Sequence, residues 1–307
     1  MKVSNIISSQ KSPSTLCFNS RRNPIASYQQ MFLQDFCRNF SIDLAKNDSD
    51  GLFYDVLEEK SSLKHLLTFE NYNFLKYDMD RVLSRIMRTL VFSGKAFVEI
   101  VLSTNNENNV VAISLVPFEP ILSIHGVKSN YFVAIQGDGK PRFFKIEKRN
   151  VVTFQLSKLG FKRYYLRRFY KRLANFDILS TGDMSQSLQE TGFDFTLWNN
   201  RREYKLLKAS KKIGWHGRST DNSYMGDAYL LYRAIQFKSL RKRCLDYFLE
   251  EINQSISVAC KEIGIDGTLI AKSICYNYKE LIQKLKSGKI NYSQLSNCVF
   301  NNKDILN

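Results

Sequence analysis

At Gly94 the hydrophobic period of the chain changes, and this change restricts the fold more than any other feature of the sequence. From about Tyr72 to Phe92, Leu75, Met79, Val82, Leu83, Ile86, Met87 and Leu90 form a stripe with helical spacing, with Asp78, Asp80, Arg81, Arg85 and Arg88 largely off it. That is the period of an amphipathic helix packed on a core. Gly94 is a fitting stop, because glycine accepts the left-handed conformation that closes a helix. Residues 95–102 then alternate in polarity, which is the period of a strand. Residues 104–109 form a polar, asparagine-rich turn, and 110–116, 121–125, 131–136, 142–147 and 151–156 read as further short strands. Pro117 and Pro120 bracket a bend, and Gly137, Asp138 and Gly139 supply a tight hairpin turn. The fold class is therefore α+β: N-terminal helices lead into a mixed or antiparallel sheet of about six short strands, followed by a basic helical segment and a long helix.

The flanking regions are helical by spacing. Tyr28, Phe32, Phe36, Phe40 and Leu44 repeat every four residues and predict a helix over 27–45, with a second, short one over 63–69. Residues 161–176, 199–213 and 224–263 follow. In the last of these, Leu245, Leu249, Ile252, Ile256, Ala259 and Ile263 alternate spacings of four and three, a narrow seam suited to another helix. This helix is expected to carry self-association. Residues 268–275, 278–286 and 292–297 read as a short helical tail. The division that results is a flexible basic tail over 1–26, an α+β core over 27–157, a basic insertion over 158–220, and the long helix with its tail over 221–307.

The 307 residues carry 45 Lys and Arg against 29 Asp and Glu, a formal charge of +16. The excess is not spread evenly. Residues 1–157 hold 19 basic and 15 acidic side chains, 158–243 hold 19 and 7, and 244–307 hold seven of each. A charge that served only solubility would be distributed; one concentrated in the middle of the chain suits a surface that meets phosphate. No window reaches the ~18 uninterrupted apolar residues of a membrane helix, and the polar opening does not read as a secretory signal. A cytoplasmic or virion protein without a membrane partner is expected. The six cysteines contain no C-x-x-C pair, and read as free thiols in a reducing compartment.

Two clusters are candidate nucleic-acid contacts. Lys162, Arg163, Arg167, Arg168, Lys171 and Arg172 interleave with Tyr164, Tyr165, Phe169 and Tyr170. Arginine presents a planar donor fork to phosphate, and aromatic rings stack on unpaired bases; the same rings serve equally as the core face of an amphipathic helix. Arg201, Arg202, Lys205, Lys208, Lys211, Lys212 and Arg218 form the second cluster. His216, between Trp215 and Gly217, lies in a loop that fits either a phosphate or a turn pinned by a buried tryptophan. His65 and His125 read as structural. The paired acids Glu58 with Glu59 and Asp78 with Asp80 fall on solvent faces. Gly137–Lys140 lacks the spacing of a phosphate loop, and no hydrolase or zinc-protease motif occurs. No catalytic residue, metal ligand or cofactor is assigned.

Residues 27–160 resemble the core of tailed-phage portal proteins of the HK97 type. Phe92-Ser93-Gly94-Lys95-Ala96-Phe97-Val98-Glu99-Ile100 is similar to the family's G-N-A-Y-x-E-I strand entry, and Pro117-Phe118-Glu119-Pro120, after strand 110–116, is similar to its L-x-P-L-x-P element. Residues 131–136, 142–147 and 151–154 look like the hairpin and strand that follow. Gly217-Arg218-Ser219 matches the family's G-x-S-P step only loosely, 158–215 stands as an insertion, and little chain remains for a stem and clip. The resemblance implies a non-enzymatic, ring-forming subunit around a DNA channel, active in virion assembly, or a reduced relative of one. The alternatives are a basic nucleic-acid-binding or replication protein acting as a monomer or dimer, and a nucleic-acid-processing enzyme without a recognisable motif.

Overall fold

The structure, a computed structural model, describes residues 27–37, 53–57, 62–68, 72–107, 109–125, 130–136, 142–176, 195–217, 227–264, 267–272 and 278–301. In chain order its elements are α1 (Ser27–Cys37), β1 (Phe53–Leu57), α2 (Ser62–Thr68), α3 (Tyr72–Ser93), β2 (Lys95–Thr104), β3 (Val110–Phe118), β4 (Leu122–His125), β5 (Asn130–Gln136), β6 (Arg142–Glu147), β7 (Val151–Gln155), α4 (Tyr165–Leu173), α5 (Phe195–Ala209), α6 (Asp227–Ile263), β8 (Thr268–Lys272), α7 (Tyr278–Lys286) and α8 (Tyr292–Asn301). The fold is α+β. Its described residues form two compact units, neither continuous in sequence.

The first unit draws on residues 52–164 and 245–272. All its strand pairings are antiparallel. The six strands read from the sequence are present, but they divide into two three-stranded sheets, in the orders β3-β2-β7 and β4-β5-β6. Pro117 lies in β3, an edge strand, where a missing N–H is tolerated. Helix α3 buries Met79, Val82, Leu83, Ile86, Met87 and Leu90, the stripe its spacing predicts. The helix closes where Gly94 donates its N–H to the Leu90 carbonyl at 3.0 Å. Gly94 has φ +73°, and a Cβ there would lie 2.0 Å from the Arg163 carbonyl oxygen, so both backbone conformation and space call for glycine.

One expectation is corrected here. Residues 268–275 read as helical, yet Thr268–Lys272 is a strand whose register with β1 runs from Phe53↔Lys272 to Leu57↔Thr268. A strand of five residues takes its identity from its partner more than from its own pattern. On α6, Leu245, Leu249, Ile252 and Ile256 of the seam are buried, and Phe248 beside them packs edge-on against Phe154 of β7 at 5.3 Å. These four residues belong to the first unit's own core.

The second unit draws on residues 24–51, 165–244 and 273–307. Its centre is aromatic. Phe32 of α1 meets Phe169 of α4 at 5.0 Å and Trp215 at 5.3 Å, both near-perpendicular, the arrangement that ring quadrupoles favour. A second cluster joins Leu231, Ala234 and Ile235 of α6 to Leu281 of α7 and to Leu295 and Val299 of α8. Phe40 and Leu44, the 137–139 turn and Arg218 lie outside the described residues.

Candidate nucleic-acid interface

Helix α4 is short and sharply two-sided. Leu166, Phe169, Tyr170 and Leu173 are buried, and Arg167, Arg168, Lys171 and Arg172 are exposed. The helical period alone explains the division: the buried positions follow one another by three, one and three residues, and the cations occupy the places between. Of the two roles open to the rings of this helix, Phe169 and Tyr170 take the core one, because both are buried. Lys171 and Arg172 lie in the last turn, where the negative end of the helix dipole favours cations.

Helix α5 packs against α4. It buries Glu203 and Leu206 and exposes Arg201, Lys205 and Lys208, with Arg202 half-buried and its guanidinium 5.6 Å from the Tyr28 ring. Lys211 and Lys212 are exposed in the turn that follows, and the Lys212 ammonium stands 5.8 Å from the Tyr165 ring of α4. The structure thus brings the two sequence clusters of this unit onto neighbouring helices. Lys162 and Arg163 belong to the first unit and are exposed there, with Arg163 5.0 Å over the Tyr164 ring.

The balance of charge on this part of the second unit is one-sided. Described residues 165–176 and 195–217 contain ten Lys and Arg and a single acid, Glu203, which is buried. Arg167, Arg168, Lys171 and Arg172 of α4 make no ion pair among the described residues, and neither do Arg201, Lys205, Lys208, Lys211 and Lys212. Other cations of the 158–243 excess are committed internally. Lys158 bonds Glu251, Lys238 donates to the Val299 carbonyl at 2.5 Å, and Arg233 is 1% exposed.

Arg233 organises the loop beyond α5. Its Nη2 donates to Ser210 Oγ at 2.5 Å and to the Trp215 carbonyl at 2.9 Å. Trp215 in turn donates its indole N–H to Asp35 Oδ2 at 2.9 Å and is 2% exposed. Gly214, at φ +84°, lets this loop pass α6 where a Cβ would lie 2.7 Å from the Arg233 carbonyl. The turn around His216 is thus pinned by a buried tryptophan. Burial, and then the charge of Arg233, hold the His216 imidazole below its ordinary range. Burial also lowers Arg233, and the hydroxyls of Tyr229, Tyr232 and Tyr165 act against that.

No protein-family model matches this chain, and no curated protein matches it.

Sequence reading missed three rings in this unit. Tyr204 is 65% exposed on α5, with Arg201 and Lys208 three residues before it and four after. Tyr229 and Tyr232 are 42% and 56% exposed on α6. The spacing around Tyr204 was a usable signal. Nothing local marks Tyr229 and Tyr232, because their neighbours Leu230, Leu231 and Ala234 make the whole stretch look like core. Among the described residues no group of three or more His, Cys, Asp or Glu is placed to hold a metal ion, and no helix is long and apolar enough to cross a membrane.

Proposed function

We propose that this protein binds nucleic acid through the outward cations of α4, α5 and the turn after α5. The observation that carries the reading is the concentration of charge: seven exposed Lys and Arg on two neighbouring helices and two more in the turn that follows, without an ion pair among the described residues, where the described acid is the buried Glu203. Cations held this close repel one another, and a phosphate chain relieves that repulsion while releasing its condensed counterions. The fold favours the reading by keeping the cations on rigid helices anchored by Phe169, Leu206 and the Trp215 loop. Replacing Arg167, Arg168, Lys171 and Arg172 with Ala tests it. A loss of about tenfold or more at moderate salt is the expected result; unchanged affinity removes α4 from the interface.

A portal-like ring subunit is the second reading. Helix α3 enters β2 through Gly94 and continues as the β2–β3 hairpin to Pro117 and Phe118, the element order that the resemblance implies. This reading adds self-association to the same nucleic-acid contact. Light scattering distinguishes them: a discrete mass many times 35.7 kDa supports the ring, and a monomer at high concentration removes it.

A further inference from the structure

We infer that the second unit is built for single-stranded nucleic acid, with bases stacking on Tyr229 and Tyr232. The inference rests on the reading above and names the substrate class of that surface. The two rings stand one turn apart on α6, their centroids 6.5 Å apart and their planes inclined by only 28°. Other rings of this unit, such as Phe32, Phe169 and Trp215, are buried in its core, whereas Tyr229 and Tyr232 are 42% and 56% exposed and stand near-parallel in partial contact with water. Two adjacent aromatic faces in solvent suit flat, unpaired partners: a free base has a face to offer, whereas a duplex keeps its bases inside the stack.

The surroundings supply the other half of such a site. The Arg233 guanidinium lies 6.0 Å from the Tyr229 ring and fixes its side of the helix. Gln236, one turn beyond Tyr232, donates its side-chain N–H to the Lys211 carbonyl at 2.9 Å. The exposed residues Lys211 and Lys212 are therefore carried by backbone that is bonded to α6 about one turn beyond Tyr232. Bases on the rings and phosphates on the lysines is the division of labour by which proteins hold single strands with little sequence preference.

The test uses the full chain, a labelled oligothymidylate and a mixed-sequence duplex of equal length, read by fluorescence anisotropy at fixed salt. Y229A/Y232A is expected to weaken single-strand binding by about 10- to 100-fold and to leave duplex binding within about twofold. The salt slope should stay unchanged, since no cation is removed. Y229F/Y232F should retain affinity, because the ring and not the hydroxyl stacks. Tyr229 packs with Arg233, so Y232A alone guards against a folding defect, and its loss should be about half of the double variant's on a logarithmic scale. A double variant that binds both probes as the parent does, or loses both equally, overturns the inference and leaves the nucleic-acid reading standing. Parent protein that binds neither probe at low salt overturns both. A parent oligomer that Y229A/Y232A converts to monomer would make the tyrosines a subunit contact and overturn the stacking.

Discussion

The guanidinium of Arg233 donates to the main-chain carbonyl of Trp215 at 2.9 Å from a site closed to solvent. A cation from the most basic third of the chain thus serves architecture, holding the loop that ends the basic helix α5 against α6. Arg233→Ala would leave the Trp215 carbonyl and Ser210 hydroxyl without this donor and open a cavity, a cost of about 3 kcal/mol. Arg233→Lys keeps the charge but cannot reproduce the planar fork, and should recover less than half of that. Urea unfolding midpoints report both losses. A parent-like midpoint for Arg233→Ala would contradict the role.

The His216 imidazole gives the fold a dependence on mildly acid pH. Its folded-state pKa is lowered, first by burial and then by Arg233. The unfolded chain takes up a proton near the ordinary value of about 6.5 while the folded chain does not, so the unfolded state binds more protons and stability falls as pH drops through that value. The loss levels off below the depressed folded value. Melting temperatures from pH 7.5 to 5.5 should therefore fall more steeply in the parent than in His216→Gln. Parallel curves would mean that His216 is solvated.

Burial pushes the Cys244 thiol up to about 12, and Cys37 and Cys298 are also buried. The thiolate is the reactive species. Iodoacetamide at pH 8 should leave these three unmodified in the folded protein and alkylate them in denaturant, as read by peptide mass spectrometry. Rapid native labelling of Cys244 would contradict its burial.

In the first unit, Asn253 clamps β8. Its amide donates to the Leu269 carbonyl at 2.7 Å and accepts from the Leu269 N–H at 2.9 Å. Asn253→Ala leaves both backbone groups unpartnered and should cost about 2 kcal/mol. Asn253→Asp keeps the acceptor and sets a carboxylate against a carbonyl, so it should rescue little. Hydrogen exchange at Leu269 checks both variants, and full protection of that amide in Asn253→Ala would contradict the clamp.

These cases show how far the sequence was legible. The stripe of α3, the alternation of β2 and the stop at Gly94 are local signals, and each corresponds to an element in the fold. The pair β1–β8 is not legible, because about two hundred residues separate partners too short to declare themselves. The α6 seam was legible as a packing stripe, and Leu245, Leu249, Ile252 and Ile256 are buried in the first unit, but a periodic stripe records burial and not what buries it. In the candidate interface the cations were legible as an excess of charge. The roles of the rings were not: period placed Phe169 and Tyr170 in the core, whereas the exposure of Tyr204, Tyr229 and Tyr232 depends on how the second unit packs.

The exposed cations of α4, α5 and the turn after α5 are proposed to meet phosphate, and salt tests this most directly. The logarithm of the binding constant for a single strand, plotted against the logarithm of salt concentration, should fall linearly by about 0.7 per phosphate contacted. Replacing Lys205, Lys208, Lys211 and Lys212 with Ala should make that line markedly shallower. An absence of binding at low salt, or a slope that these four substitutions leave unchanged, would contradict the account.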